Sequence, residues 1–207
     1  MNAKIKVLTV DDHPMLREGV VARIHHQEDM TVVGEAENGE QALERFRSLR
    51  PDVTLMDLQM PGGGGLAAIK AIRGEFPDAK IIVLTTFDGD VHAMAALKAG
   101  ASGYLLKTSL RKDLLDTIRA VHSGQHRVEP RVAQEILAHA AEDSLSEREV
   151  SVLRLVSEGK ANKEIGRALS LSEDTVKAYL KSIFSKLNVN DRTHAVTIAA
   201  RRGIIEI

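Results

Sequence analysis

The sequence predicts an α/β doubly wound five-stranded parallel sheet over residues 1–124, a partly helical linker over 125–143 and a small all-α four-helix unit over 144–207. Three observations carry this. Five short runs rich in Val, Ile and Leu, none of them alternating, read as parallel strands buried on both faces. They recur at intervals of roughly 25 residues with helical periodicity between them, the pattern of strands joined by crossover helices. Beyond Ser144 the strand pattern disappears and every segment has helical period.

The strands are expected at Lys4–Val10, Met30–Glu35, Val53–Asp57, Lys80–Thr85 and Gly103–Lys107. Segments such as Gly39–Phe46 and Val91–Lys98 supply the helices between them, Gly100 and Gly124 stand where helices end, and Pro51 and Pro77 precede strands. Residues 124–128 read as a loop, and Pro130 opens a linker helix over Arg131–Ala141 in which Val132, Ile136 and Ala140 share a face. Glu142, Asp143 and Ser144 mark the second boundary.

Composition narrows the class. Of 207 residues, 43% are hydrophobic and 28% charged, enough to bury a core, and the lack of cysteine excludes disulfides and thiolate metal sites. With no signal-peptide pattern and no apolar run of the roughly 18 residues a membrane span needs, the expected place is the cytoplasm, with no membrane partner. The net charge of −1 is unevenly spread. Residues 1–124 hold 15 Lys and Arg against 17 Asp and Glu, whereas residues 144–207 hold 11 against 8, so the tail is the part suited to a polyanion.

In a doubly wound sheet the ligand lies at the carboxyl ends of the strands. Those ends carry Asp11 and Asp12, Asp57, Thr85 and Lys107. Taken singly, Asp11 is as readily a helix cap and Lys107 a solvated lysine; five polar residues at strand ends are harder to explain in that way. The three carboxylates suit a hard divalent cation, Thr85 can donate to a phosphoryl oxygen, and Lys107 offers a point charge. The eight histidines are scattered and read as solvated, not as a metal site.

The stretches DDHPMLREGV, DLQMPGGGGLAAI, VLTTFD and GASGYLLK, in this order, resemble the receiver domain of bacterial two-component response regulators. The resemblance implies a flavodoxin-like receiver in which Asp57 accepts a phosphoryl group from a sensor histidine kinase. It implies Mg²⁺ or Mn²⁺ held by Asp12, Asp57 and the Gln59 backbone carbonyl, with Asp11 acting through water. Thr85 and Lys107 would contact the phosphoryl oxygens, and Tyr104 fits the aromatic switch position. Two departures stand out: Gly62-Gly63-Gly64 occupies the place of a bulky residue and an Asp or Asn, which predicts a slacker loop, and Thr108 follows Lys107 where many receivers have proline.

In the tail, Ser146 and Glu149 form a capping box before Val150, Leu153 and Leu155, and Gly159 ends that helix. Asn162–Leu169 is a second helix, Ser170-Leu171 a tight turn, and Ser172 caps a third helix reaching about Leu187; Arg192–Arg202 is the fourth, closed by Gly203. On the third, with Val176 at zero and about 100° per residue, Leu180 falls near 40°, Ile183 near 340° and Leu187 near 20°. Asp174, Lys177, Ala178, Lys181, Ser182 and Ser185 take the opposite face, which is either a plain solvated surface or one that lies in a DNA groove.

The segment from Leu145 to Val196 resembles the LuxR-type helix-turn-helix module of the NarL/FixJ subfamily. By that resemblance Lys177, Ala178 and Lys181 face base edges or nearby phosphates, while Lys160, Asn162, Lys163, Thr175 and Arg192 are candidates for backbone contacts. Tyr179 borders the buried face. The implied whole is a transcription regulator, not an enzyme beyond the chemistry of its own aspartyl phosphate, that forms a homodimer on activation and binds promoter DNA, with RNA polymerase as a further partner. Two other readings remain at this point: a Mg²⁺-dependent phosphohydrolase with Asp57 as nucleophile, which would want a second aspartate where Gln59 stands, or a receiver with a protein-interaction tail.

Overall fold

A computed structural model describes residues 3–61, 64–86, 90–139 and 144–205. The chain divides into two units, one comprising the described residues of 1–86 and 93–133, the other those of 87–92 and 134–207.

Along residues 5–122 the chain alternates β1 (Ile5–Val10), α1 (Pro14–His25), β2 (Met30–Ala36), α2 (Gly39–Leu49), β3 (Val53–Asp57), α3 (Gly64–Glu75), β4 (Ile81–Thr85), α4 (Asp90–Lys98), β5 (Gly103–Leu106) and α5 (Leu110–His122). The strands are parallel, in the order β2-β1-β3-β4-β5-β6, where β6 is Arg127–Val128. Among the described residues the sheet therefore has six strands, where five were expected. The sixth, β6 (Arg127–Val128), lies in the segment read from sequence as a loop and pairs with Gly103 and Tyr104 of β5. Two residues are too few to leave a periodic signature; the strand is set by the edge it meets, not by its own side chains.

Each residue of β3 and β4 is buried, as expected of central parallel strands. Alternate residues serve opposite faces. Val7, Val53, Leu55, Ile82, Leu84 and Leu105 pack with Val20 and Ile24 of α1 and with Leu110, Leu114, Ile118 and Val121 of α5. Elsewhere in the unit α2 buries Ala42 and Phe46, whose ring stacks on Phe76 at 5.0 Å, and α3 buries Ala68, Ile69 and Ile72.

After β6 comes α6 (Pro130–His139), with proline in its first turn as predicted. Ala140 and Ala141, the end of the predicted linker helix, and Glu142 and Asp143 at the expected boundary lie outside the described residues.

The second unit holds α7 (Glu147–Ser157), α8 (Asn162–Leu169), α9 (Glu173–Lys186) and α10 (Arg192–Arg201). The capping box at Ser146 forms with both bonds, Glu149 N–H to Ser146 Oγ at 3.3 Å and Ser146 N–H to Glu149 Oε2 at 2.7 Å. Ser172 Oγ accepts from Thr175 N–H and Asp191 Oδ1 from His194 N–H, so α9 and α10 also begin on side-chain caps. Gly159 follows α7 with φ of 80°, a conformation a side chain would resist. The core joins Val152, Leu153 and Val156 to Ile165, to Val176, Leu180 and Ile183 on α9, and to Ala195 and Ala199.

Candidate functional site

Strand register builds the site. Val10 pairs with Met56, Asp57 with Leu84, and Thr85 with Leu106. Asp11, Asp57, Thr85 and Lys107 therefore leave four adjacent strands at one level, where strand order changes direction at β1 and β3.

Asp57 is completely buried. Its Oδ1 accepts from Gln59 N–H at 3.0 Å, and its Oδ2 lies 2.8 Å from Lys107 Nζ. The same ammonium stands 2.9 Å from Asp11 Oδ2. Burial pushes the Asp57 carboxyl above the usual aspartate range; the bonds from Lys107 and Gln59 oppose that shift without reversing it. Burial also works against the charge on Lys107, but its bonds to Asp57 and Asp11 prevail and hold the ammonium above the ordinary lysine value. Asp57 and Lys107 thus meet in direct contact away from bulk water.

One lysine does not balance three carboxylates. Asp11 Oδ2 and Asp12 Oδ1 each meet one cationic or imidazole nitrogen, Lys107 Nζ and His13 Nδ1, at 2.9 Å, and ligand atoms of Asp11, Asp12, His13 and Asp57 all lie within 4.8 Å of one another. This cluster of hard oxygen donors with excess negative charge fits a divalent cation. An open cleft of about 670 Å³ lies before it, lined by His13, Met15, Leu16, Gln59, Thr86 and Lys107. Thr85 is buried at the end of β4, and Tyr104 is fully buried on β5. The Gln59 side chain accepts a hydrogen bond from the Thr86 hydroxyl.

Three neighbours were not anticipated from sequence. His13 is exposed, as expected, yet it meets both aspartates: its Nδ1 lies 2.9 Å from Asp12 Oδ1 and 3.2 Å from Asp11 Oδ1, and its backbone N–H donates to Asp11 Oδ1 at 2.8 Å. Its position directly after two aspartates was the available signal. Arg17, one turn into α1, is buried and donates to the Asp11 carbonyl at 2.7 Å while pairing with Glu35 and Glu37 at 3.0 Å each, which fixes the chain at the end of β1. Gly65 is the third. A Cβ there would stand 2.2 Å from the Asp57 carbonyl oxygen and 2.6 Å from Leu58 Cα, so only glycine lets α3 approach the strand that carries Asp57. Gly62 and Gly63, the rest of the loop predicted to be slack, lie outside the described residues, and Gly64 and Gly65 open α3 instead.

On α9, Val176, Leu180 and Ile183 are buried as the helical wheel required, and Lys177, Ala178, Lys181 and Ser185 are exposed. Lys177 is 3.1 Å from Asp174 and 3.5 Å from Glu173, its own helix neighbours, which hold the ammonium above the ordinary lysine value. Ser182 does not belong to the outer face: its hydroxyl donates to Glu149 Oε1 at 2.7 Å. Lys186 reaches the other oxygen of Glu149 at 2.9 Å, so one buried carboxylate clamps α9 to the start of α7. Despite burial, these bonds bring the Glu149 carboxyl down to about 2.

Of the other candidates, Lys160 and Lys163 are exposed near the start of α8 and Asn162 is half-buried there. The Thr175 hydroxyl is engaged with Ser172 Oγ at 2.7 Å, and Arg192 donates to the Lys160 carbonyl at 2.9 Å. These last two serve the local architecture of the unit.

Residues 7–119 match the response regulator receiver domain, and residues 143–199 match the bacterial regulatory proteins of the luxR family. The chain is 43% identical to the transcriptional regulatory protein LiaR of Bacillus subtilis over 97% of this chain and 99% of that one. RcsB from Salmonella enterica serovar Typhimurium, bound to promoter P1flhDC in the presence of the phosphomimetic BeF3-, superposes with a TM-score of 0.74 at 30% identity, covering 96% of this chain and 98% of that one. A structure of two RcsB dimers bound to two parallel DNAs gives a TM-score of 0.72 at 30% identity over 96% and 98% of the two chains. With a buried aspartate at the carboxyl edge of a parallel sheet, a capped four-helix tail and relatives aligned along nearly its whole length, this chain belongs to the two-component response regulators that join a receiver domain to a LuxR-family DNA-binding domain and regulate transcription.

Proposed function

We propose that Asp57 accepts a phosphoryl group from a sensor histidine kinase and that the acyl phosphate so formed promotes homodimerisation and tightens DNA binding by the outer face of α9. The observation that carries this reading is the Lys107 ammonium at 2.8 Å from a completely buried Asp57 carboxylate that faces an open cleft. In the transfer, Asp57 Oδ forms the new O–P bond as the phosphorus–nitrogen bond of the donor phosphohistidine breaks, and the imidazole leaves with its electron pair. Lys107 then serves a phosphoryl oxygen in place of Asp57 Oδ2, and Thr85 donates its hydroxyl to another. Tyr104 follows Thr85 as the switch.

Asp11, Asp12, Asp57 and the Gln59 backbone carbonyl would hold Mg²⁺ or Mn²⁺, Asp11 through water. When bound there, the cation would supply positive charge to offset that of the transferred group. On the DNA side, Lys177, Ala178 and Lys181 meet base edges or nearby phosphates, while Lys160, Asn162, Lys163, Thr175 and Arg192 position the backbone. Lys177 must then exchange Asp174 and Glu173 for a phosphate. The functional boundaries follow as a receiver at 1–124, a linker at 125–143 and a DNA-binding domain at 144–207, acting in the cytoplasm with RNA polymerase as a further partner. Both RcsB structures hold DNA, one as dimers and one with a phosphomimetic, which supports this reading.

The test compares full-length protein, with and without beryllium fluoride and Mg²⁺, with Asp57→Asn, on DNA that the protein itself enriches from a random pool. The phosphoryl mimic is expected to tighten wild-type binding about tenfold, a coupling within the usual 1–3 kcal/mol, and to leave Asp57→Asn unchanged. Equal affinities throughout would overturn the proposal.

A further inference from the structure

Outside residues 7–119, one carboxylate reaches back to the turn that carries Lys107. Strand β6 makes the alternating bonds of a parallel ladder: Arg127 N–H donates to the Ser102 carbonyl at 3.0 Å, and Glu129 N–H to the Tyr104 carbonyl at 3.1 Å. The next bond of such a ladder would run from Leu106 N–H to the Glu129 carbonyl. That carbonyl is already committed, because it accepts from Ala133 N–H at 3.0 Å as the first acceptor of α6. The Glu129 side chain takes its place. Its Oε2 accepts from Leu106 N–H at 3.1 Å and its Oε1 from Ser109 Oγ at 3.0 Å.

Leu106 precedes the 3-10 turn Lys107–Ser109, and Ser109 is its last residue. One carboxylate therefore grips both sides of the residue whose ammonium lies 2.8 Å from Asp57 and 2.9 Å from Asp11. A lysine is a point charge on a flexible four-carbon stem, so its aim depends on how firmly its backbone is held. The same glutamate begins α6, with Pro130 directly behind it.

We propose that Glu129 is a positioning residue of the phosphoacceptor site, fixing the turn that carries Lys107 and tying its position to the start of the linker helix α6. The proposal rests on Asp57 being the phosphoacceptor. When Lys107 shifts from Asp57 Oδ2 to a phosphoryl oxygen, the Leu106 and Ser109 bonds are the ones strained, and both lead to Glu129. By reciprocity, loosening Glu129 changes how the site holds its phosphoryl group.

The experiment uses the full chain as wild type, Glu129→Ala, Glu129→Gln and Asp57→Asn, phosphorylated with acetyl phosphate and Mg²⁺. Phosphoryl half-life is read together with amide hydrogen exchange at Leu106 and Ala133, with and without beryllium fluoride. Glu129→Ala is expected to change the half-life at least about threefold, and Glu129→Gln to restore it within about twofold, since its amide can serve both Leu106 N–H and the Ser109 hydroxyl. In the wild type the phosphoryl mimic is expected to change protection of the Leu106 and Ala133 amides at least about threefold. A Glu129→Ala half-life equal to wild type, or Ala133 protection indifferent to the mimic, overturns the proposal; should Glu129→Ala fail to fold, the wild-type exchange result decides alone. Labelling of Asp57→Asn as strong as wild type would instead overturn the Asp57 reading, and this proposal with it.

Discussion

The acidic pocket and the outer face of α9 both present charged side chains on an apolar framework, but they hold them by opposite means. At the pocket, Asp11 and Asp57 are 1% and 0% exposed and share one lysine whose side chain is 10% exposed. On α9, Lys177 is 57% exposed and pairs with Glu173 and Asp174, one turn away on its own helix. Buried charges are fixed and costly to leave alone; exposed ones are screened, mobile and free to change partner. A group that must register the arrival of one phosphoryl group needs the first arrangement. A surface that must slide onto a polyanion and exchange counterions needs the second.

The sharpest way to break the comparison is to remove one lysine from each region. Lys107→Ala leaves Asp11 and Asp57 buried without their shared cation, and breaking a buried pair in this way costs about 3 kcal/mol of stability. Urea unfolding at neutral pH should show it in the receiver transition, and phosphorylation by acetyl phosphate should fall with it. Lys177→Ala should leave both unfolding transitions where they are. Equal effects at the two sites would erase the distinction between them.

The two glycines that open α3 sharpen the same point about packing around Asp57. In Gly65→Ala the new methyl would meet the Asp57 and Leu58 backbone, which cannot move aside without carrying the carboxylate along. Overpacking of this kind costs about 2 kcal/mol, and slower phosphorylation should accompany the lower urea midpoint. At Gly64 a Cβ would make only ordinary contact, 3.5 Å from Gly39 N. Gly64→Asp places a carboxylate in the first turn of α3 and should stabilise by about 0.5 kcal/mol through the helix dipole, with phosphorylation retained.

The helical unit has its own buried charge, and acid should expose it. Glu149 titrates from an ordinary value of 4.5 when unfolded to about 2 when folded. Its folded pKa is depressed, so its contribution is complete above about pH 4.5 and is lost as pH falls toward about 2. Glu149→Gln should flatten the stability of the helical unit against pH across that window while lowering it at neutral pH. A mutant curve parallel to wild type through the window would show that the clamp on Ser182 and Lys186 does not carry the shift.

Sequence was most informative where burial dictates residue type. Central strands with every position buried leave uninterrupted Val, Ile and Leu runs, so β3 was legible to the residue and β4 to within one residue at its start, and Asp57 and Thr85 stood out as their polar ends. The faces of α9 were legible for the same reason, except at Ser182, which the wheel placed outward and Glu149 draws inward. What sequence hid depends on partners far along the chain. Nothing local marks Glu129, because its role exists only when β6 meets β5. Nothing in the glycine run singled out Gly65, since the backbone it accommodates is visible only once α3 packs against the strand end.

The smallest expected effect lies on the outer face of α9, and it is one of slope, not of stability. Lys181 is exposed beside Lys177 and Ala178, so Lys181→Ala should not alter folding. If Lys181 neutralises one phosphate, its loss should reduce the slope of log affinity against log salt concentration by about 0.9, and weaken binding to all sequences alike. If it reads a base edge, the slope should hold while discrimination at one base pair falls by about 1–3 kcal/mol. Measuring affinity for two sequences at several salt concentrations separates these outcomes. An unchanged slope together with unchanged discrimination would remove Lys181 from the proposed interface.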